Sequence, residues 1–166
     1  MTKHSNILIV MGVSGVGKTT IGRGLSTVLA IPFFDADDYH PPANVVKMSQ
    51  GIPLNDDDRA PWLERLAHLL AEKENGSGAI LACSALKDSY RRQLASRLRQ
   101  GPYWIYLQGS PALIRRRMEA RRDHYMPPGL LDSQLATLEP PDGALTVSVA
   151  DTPEQIISTI LMHLDQ

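Results

Sequence analysis

The 166-residue chain carries 17 basic and 18 acidic residues, a formal charge of −1, which excludes a global attraction to nucleic acid or to anionic membrane surfaces. That length suits one domain able to bury roughly 70% of the surface its unfolded chain exposes. The single cysteine, Cys83, excludes an internal disulfide framework and a multi-cysteine zinc site and agrees with a reducing compartment, so a cytoplasmic location is expected. The longest apolar runs, 7–13 and 79–83, fall far short of the roughly 20 residues that span a bilayer. With no signal-peptide pattern at the N-terminus, no membrane partner is expected.

In chain order, residues 6–11 are β-branched and apolar without alternation, as in a central parallel strand covered on both faces. The glycines between Gly12 and Gly17 break this run, and Ile21, Leu25, Val28 and Leu29 then recur at helical spacing over 18–30. A short apolar run at 31–35 predicts a second strand. The polar, proline-bearing stretch 37–61 is expected to be partly irregular. Trp62, Leu66, Leu69 and Leu70 predict a helix over 62–73, ended by Asn75-Gly-Ser-Gly78 before a third strand at 79–83. The alternation continues as helix 90–99, strand 103–107, helix 112–121, strand 145–149 and helix 153–164. Five strands alternating with helices predict an α/β fold, a three-layer α/β/α sandwich on a five-stranded parallel sheet, with ligands bound beyond the carboxyl ends of the strands.

Gly12-Val-Ser-Gly-Val-Gly-Lys18-Thr19 satisfies the GxxxxGK-Ser/Thr pattern and sits between a predicted strand and a predicted helix, the context that gives the pattern meaning. Glycines let the backbone turn close to phosphates, and the loop amides with the following helix N-terminus make an anion site. Gly12, Val13, Ser14, Gly15, Val16, Gly17, Lys18, Thr19 and Thr20 are therefore the nucleotide-binding candidates. Lys18 supplies a mobile positive charge for the β- and γ-phosphates, and the Thr19 hydroxyl is a Mg²⁺ ligand candidate. Switches, motors and regulators use the same loop, so a nucleotide-dependent regulatory module stands as the rival to a kinase.

Asp35 and Asp37 leave the second strand at alternate positions, so both carboxylates are expected on one side at the ligand end. Asp35 suits the Mg²⁺ shell, and Asp37 suits an acceptor hydroxyl that it orients and deprotonates. A solvated acidic turn with Asp38 as helix cap is the alternative. Arg59 offers a planar fork for a substrate carboxylate, while Asp56, Asp57 and Asp58 read as an ordinary helix start. Lys87 and Arg91 follow the third strand, where a substrate would be clamped, yet read equally well as exposed helix charges. Arg115, Arg116, Arg117, Arg121 and Arg122 lie on or just after one predicted helix and precede Met126-Pro-Pro-Gly129. This arrangement predicts a closing lid at about 121–131 rather than a merely solvated face.

Together these pieces resemble the gluconate kinase family, relatives of shikimate and nucleoside-monophosphate kinases, over nearly the whole chain. The family-specific part is Asp35-Ala-Asp-Asp-Tyr-His-Pro41, Asn44 with Lys47-Met48, and Gly51-Ile-Pro-Leu-Asn-Asp-Asp-Asp-Arg59 with Pro61-Trp-Leu63. It continues through Cys83-Ser-Ala-Leu-Lys87, Tyr90-Arg91, Tyr106-Leu107 with Gly109, His124-Tyr-Met-Pro127, Leu130-Leu131, Ser133-Gln134 and Leu138-Glu-Pro-Pro141. Departures fall at Arg92, at Leu135 and in the loosely fitting 147–151. The resemblance implies one kinase domain over 1–166 that phosphorylates D-gluconate from ATP with Mg²⁺, as a homodimer. By position, Asp37, His40, Lys47, Arg59, Lys87 and Arg91 become substrate-binding candidates. Lys18, Asp37, Arg117 and Arg121 become the catalytic set, the last two as lid cations one helical turn apart. A kinase for another small hydroxy acid, such as shikimate, is the enzymatic rival.

Overall fold

The computed structural model describes residues 5–120 and 128–165. Five parallel strands, β1 (Ile7–Met11), β2 (Phe33–Asp35), β3 (Ala79–Ala82), β4 (Tyr103–Gln108) and β5 (Leu145–Ser148), pair in the order β2-β3-β1-β4-β5. The helices are α1 (Lys18–Leu29), α2 (Pro42–Ser49), α3 (Asp56–Glu74), α4 (Asp88–Ala95), α5 (Pro111–Ala120), α6 (Pro128–Thr137) and α7 (Pro153–Leu164), with a 3₁₀ turn at Ala36–Tyr39. The expected α/β sandwich with a five-stranded parallel sheet is what the chain forms.

The period-two alternation of strand side chains decides the layers. On β1, Leu8 and Val10 join a core with Ile21 and Leu25 of α1, Ile114 of α5, Leu131 of α6, and Ile156 and Ile160 of α7. Ile7, Ile9 and Met11 point the other way, into Trp62, Leu63, Leu66 and Leu70 of α3 and Tyr90 and Leu94 of α4. Every β1 residue is buried, which is why the run shows no polar alternation.

Several stretches differ from the sequence-based expectation, among them the helix expected over 90–99, which spans Asp88–Ala95. The 37–61 segment is mostly helical, because Pro42 opens α2 at its first turn and Asn55 caps α3 through a capping box with Asp58. The helix expected at Trp62 therefore begins six residues earlier and accommodates Pro61 inside it, where the missing proline N–H leaves the Asp57 carbonyl without its usual donor. Asp37 lies in the 3₁₀ turn rather than on a strand, and the cap of that turn is Asp35, not Asp38. α6 was not expected at all. Its leucines point to more than one side, with Leu131 buried and Leu130 exposed, so no single apolar stripe announces it.

Register sets the site. Asp35 is level with Ala82 on β3, and Ala82 is level with Val10 on β1, so the last residue of β2 stands beside the start of the glycine loop.

Candidate active site

The loop after β1 is shaped by three glycines. Gly12 has φ +149°, and a Cβ there would stand 2.8 Å from the Leu107 carbonyl oxygen. Gly15 has φ +86°, and its missing Cβ makes room for Met118 of α5. Gly17, left-handed at φ 95°, starts α1 with no side-chain cap, so the first amides of the helix remain for an anion. Lys18 curls back over the loop, with Nζ donating to the carbonyls of Gly12 at 2.9 Å and Val13 at 3.0 Å. Val13 and Val16 are buried in the core, so their part in nucleotide binding is confined to backbone. Thr19 and Thr20 are exposed at the helix start.

Thr19 Oγ1 and Asp35 Oδ2 lie 3.4 Å apart. A hydroxyl and a carboxylate side by side at a phosphate-binding helix start are the hard-oxygen donor set that fits Mg²⁺, which takes few protein ligands and completes its shell with phosphate oxygens and water. The other oxygen of Asp35 accepts the Asp37 amide at 3.0 Å, and this turn, not strand alternation, brings the two carboxylates together. The Asp37 carboxyl is raised above its ordinary range by desolvation and then by the charge of Asp35, against the pull of Lys18. Its side chain is 84% exposed, so solvent screens that shift in the open cleft.

A cleft of about 530 Å³ is lined by Asn55, Asp56, Asp57, Arg59, Lys87, Tyr90 and Ser133, among others. Arg59 and Lys87 stand over the Tyr90 ring at 5.3 and 5.6 Å. Arg59 Nη1 donates to the Tyr90 hydroxyl at 3.2 Å, and that hydroxyl donates to Asp56 Oδ1 at 2.5 Å. Lys87 reaches the other Asp56 oxygen at 3.4 Å. Asp56, read from sequence as a plain helix start, is the counter-ion of the cleft, and the Tyr90 and Lys87 contacts hold its carboxyl below the ordinary range. Two cations and a phenol converging on one carboxylate can also hold the carboxylate of a small acid.

The remaining candidates hold this frame. His40 stacks on Trp62 with centroids 4.3 Å apart, and its Nε2 lies 3.9 Å from Asp37. Buried Asn44 donates from Nδ2 to the Asp58 carbonyl, and the same nitrogen faces His40 Nδ1 at 3.2 Å. A carbonyl only accepts, so the amide nitrogen must face it; His40 Nδ1 is then the acceptor and its ring proton sits on Nε2, toward Asp37. Lys47 is bound to both oxygens of Asp58, at 3.0 and 2.8 Å. Arg91 stands apart from the expectation. It is 7% exposed and donates to the carbonyls of Ala85 and Glu139, so it ties two loops together instead of pointing into the cleft.

α5 and α6 border the phosphate loop. Arg117 precedes Met118, which fills the space over Gly15. Arg121 and His124 lie outside the described residues. On α6, Gln134 accepts the Ser14 amide at 2.7 Å and donates to Ser14 Oγ at 2.9 Å. In sequence Ser133-Gln134 stands out only through the family resemblance, which does not point to a contact with Ser14.

A strand, an anion loop and a helix, with a cleft lined by Arg59, Lys87, Asp56 and Asp57, mark the P-loop NTPase fold, and its relatives make the chain an ATP-dependent small-molecule kinase. Residues 14–137 match the shikimate kinase family. A gluconokinase of Gluconobacter oxydans is 44% identical over 98% of this chain and 97% of its own, and the thermosensitive gluconokinase of Escherichia coli is 48% identical over 80% and 71%. The crystal structure of a gluconokinase from Sinorhizobium meliloti superposes with a TM-score of 0.89 at 40% identity, over 98% of this chain and 94% of that one. The chain belongs to the gluconate kinase family.

Proposed function

We propose that this protein transfers the γ-phosphoryl group of ATP to the terminal hydroxyl of D-gluconate, forming 6-phosphogluconate. The observation that carries the reading is the Asp35 carboxylate, 3.4 Å from Thr19 at the phosphate-loop helix and bonded to the Asp37 amide, together with Arg59, Lys87 and Tyr90 converging in one cleft. A polyhydroxy acid has a carboxylate for the cations at one end and a primary hydroxyl for Asp37 at the other. Its relatives named gluconokinase support the same substrate.

Transfer is in line through a loose transition state, so catalysis rests on positioning and charge rather than on a covalent intermediate. Lys18 leaves the loop carbonyls for the phosphates, and Asp37 aligns the acceptor hydroxyl and takes up its proton. Bound at Thr19 and Asp35, Mg²⁺ supplies neutralisation of charge on the phosphate oxygens. Arg117, on α5, and Arg121 are the cations that meet the transferring phosphoryl group as a lid at about 121–131 shuts out water; its residues 128–131 are the first turn of α6. Arg59 and Lys87 grip the carboxylate, while His40, Lys47 and Arg91 hold the frame.

The reading includes a homodimer in the cytoplasm. Val45, Val46, Met48 and Ile52, all at least 42% exposed on and just after α2, support a self-association face. The lone cysteine is compatible with a reducing compartment.

Coupled ADP release with Mg²⁺-ATP across gluconate, other aldonates, shikimate, glycerate and nucleoside monophosphates tests the proposal. Turnover selective for gluconate is expected. Selective turnover of another acceptor would overturn the substrate, and nucleotide binding without acceptor-dependent turnover would overturn the kinase.

A further inference from the structure

α6 touches both halves of the site. Ser133 and Thr137, one turn apart, line the acceptor cleft. Gln134, on the neighbouring strip of the same helix, forms two reciprocal bonds with Ser14, 120 residues away in the phosphate loop. Its Oε1 takes the Ser14 N–H, and its Nε2 donates to Ser14 Oγ.

Two bonds between a planar amide and one loop residue fix orientation as well as distance, so the helix and the loop cannot shift independently while both are made. The rest of α6 is held in ways that reinforce this. Leu131 is 2% exposed in the core, and Asp132 pairs with Arg115 of α5, the helix whose Met118 packs over Gly15. A displacement of α6 by something pressing on Ser133 and Thr137 therefore reaches the loop along one short path, through Gln134.

We propose that Gln134 is the positioning residue through which occupancy of the acceptor cleft is transmitted to the phosphate loop, so that acceptor and nucleotide bind with positive coupling. The bonded Gln134–Ser14 pair holds helix and loop in one arrangement, and both ligands favour that arrangement. Linkage requires the effect to be mutual: the acceptor tightens nucleotide binding by the factor with which the nucleotide tightens acceptor binding. The inference rests on the kinase reading with gluconate as acceptor.

The test is a titration of the β,γ-imido analogue of ATP with Mg²⁺, with and without saturating gluconate. The unmodified chain is expected to bind the analogue on the order of tenfold more tightly when gluconate is present. Gln134→Ala keeps the affinity measured without gluconate and loses the enhancement. Gln134→Glu matches the original side chain in size and retains an oxygen for the Ser14 amide while losing the Nε2 donor, and it keeps part of the enhancement. Adding Ser14→Ala to Gln134→Ala changes the coupling no further, whereas Ser14→Ala alone reduces it. In turnover, Gln134→Ala raises the KM for ATP at saturating gluconate more than it lowers kcat.

Coupling of full size in Gln134→Ala would overturn the proposal. So would an equal loss of analogue affinity with and without gluconate, which marks a merely structural role. An unmodified chain that phosphorylates gluconate yet binds the analogue equally in both conditions overturns it too. Absence of gluconate turnover by the unmodified chain is a separate result, and it removes the substrate reading on which the proposal stands.

Discussion

The Asp37 amide donates to Asp35 Oδ1 at 3.0 Å while the other Asp35 oxygen faces Thr19 Oγ1 at 3.4 Å. One carboxylate thus joins the proposed magnesium corner to the residue proposed to align the acceptor. Replacing the two aspartates should have different consequences. Asp37→Ala should lower kcat by about 10²- to 10⁴-fold, the range of a lost proton acceptor, and leave nucleotide affinity intact. Asp35→Ala should weaken Mg²⁺-nucleotide binding as well, because it also removes the partner of Thr19. A nucleotide titration run beside ADP release separates them, and loss of nucleotide binding in Asp37→Ala would make that residue structural.

Gly15→Ala should disrupt the loop from two directions. Its φ of +86° is unfavourable for alanine, and the new Cβ would sit 2.7 Å from Met118 Cγ. A cost of about 1–3 kcal/mol is expected in thermal unfolding, together with lost nucleotide binding. Adding Met118→Ala should recover the steric part alone. Complete recovery would show that backbone strain is not the cause.

Arg59→Lys keeps the charge but loses the fork that reaches Tyr90 and a substrate carboxylate at once. A hydrogen bond to a charged group contributes about 1.5–3 kcal/mol, so the KM for gluconate should rise about 10- to 100-fold with the KM for ATP little changed. Equal KM values for gluconate in the two proteins would place the carboxylate elsewhere.

His40 predicts a pH dependence of stability. Burial first, and then the charge of Arg59, push its pKa below the ordinary 6.5. Asn44 aims an amide N–H at Nδ1, which opposes protonation there, and Asp37 at 3.9 Å is the one opposing charge beside Nε2 among the described residues. Below 6.5 the unfolded chain binds more protons at this residue than the folded one, so its contribution is present above that pH and is lost as pH falls through the lowered folded value. Urea midpoints measured between pH 7.5 and 5.5 should therefore fall, and should fall less in His40→Gln. Identical slopes would mean that another group titrates in this window.

Cys83 should be inert in the native protein. Its side chain is 2% exposed, and burial pushes the thiol up to about 12. Iodoacetamide should label it only as the chain opens, with a rate that climbs with urea as unfolding does. Rapid labelling without denaturant would show that the β3 end opens locally.

The fold was legible because its signals are local. The unbroken apolar run at 7–11, the glycines before Lys18 and the leucine spacing of α3 each lie within one element and act through sterics and burial along it. The nucleotide loop could be read for the same reason: its chemistry is held by eight consecutive residues. The acceptor cleft was legible only in part. Arg59 and Lys87 were visible as cations, but nothing in their spacing shows that Asp56 and Tyr90 sit between them.

By itself, then, the sequence determined the parallel sheet and the phosphate loop, and it marked Arg59 and Lys87 as cations of the later cleft. The tertiary structure alone decided that Arg91 turns inward to two carbonyls, that Asp37 meets Asp35 through a turn, and that Gln134 grips Ser14. Propensity and periodicity describe a residue's relation to its near neighbours. Which side chain meets which across 120 residues is settled only when layers pack and each buried donor must find an acceptor.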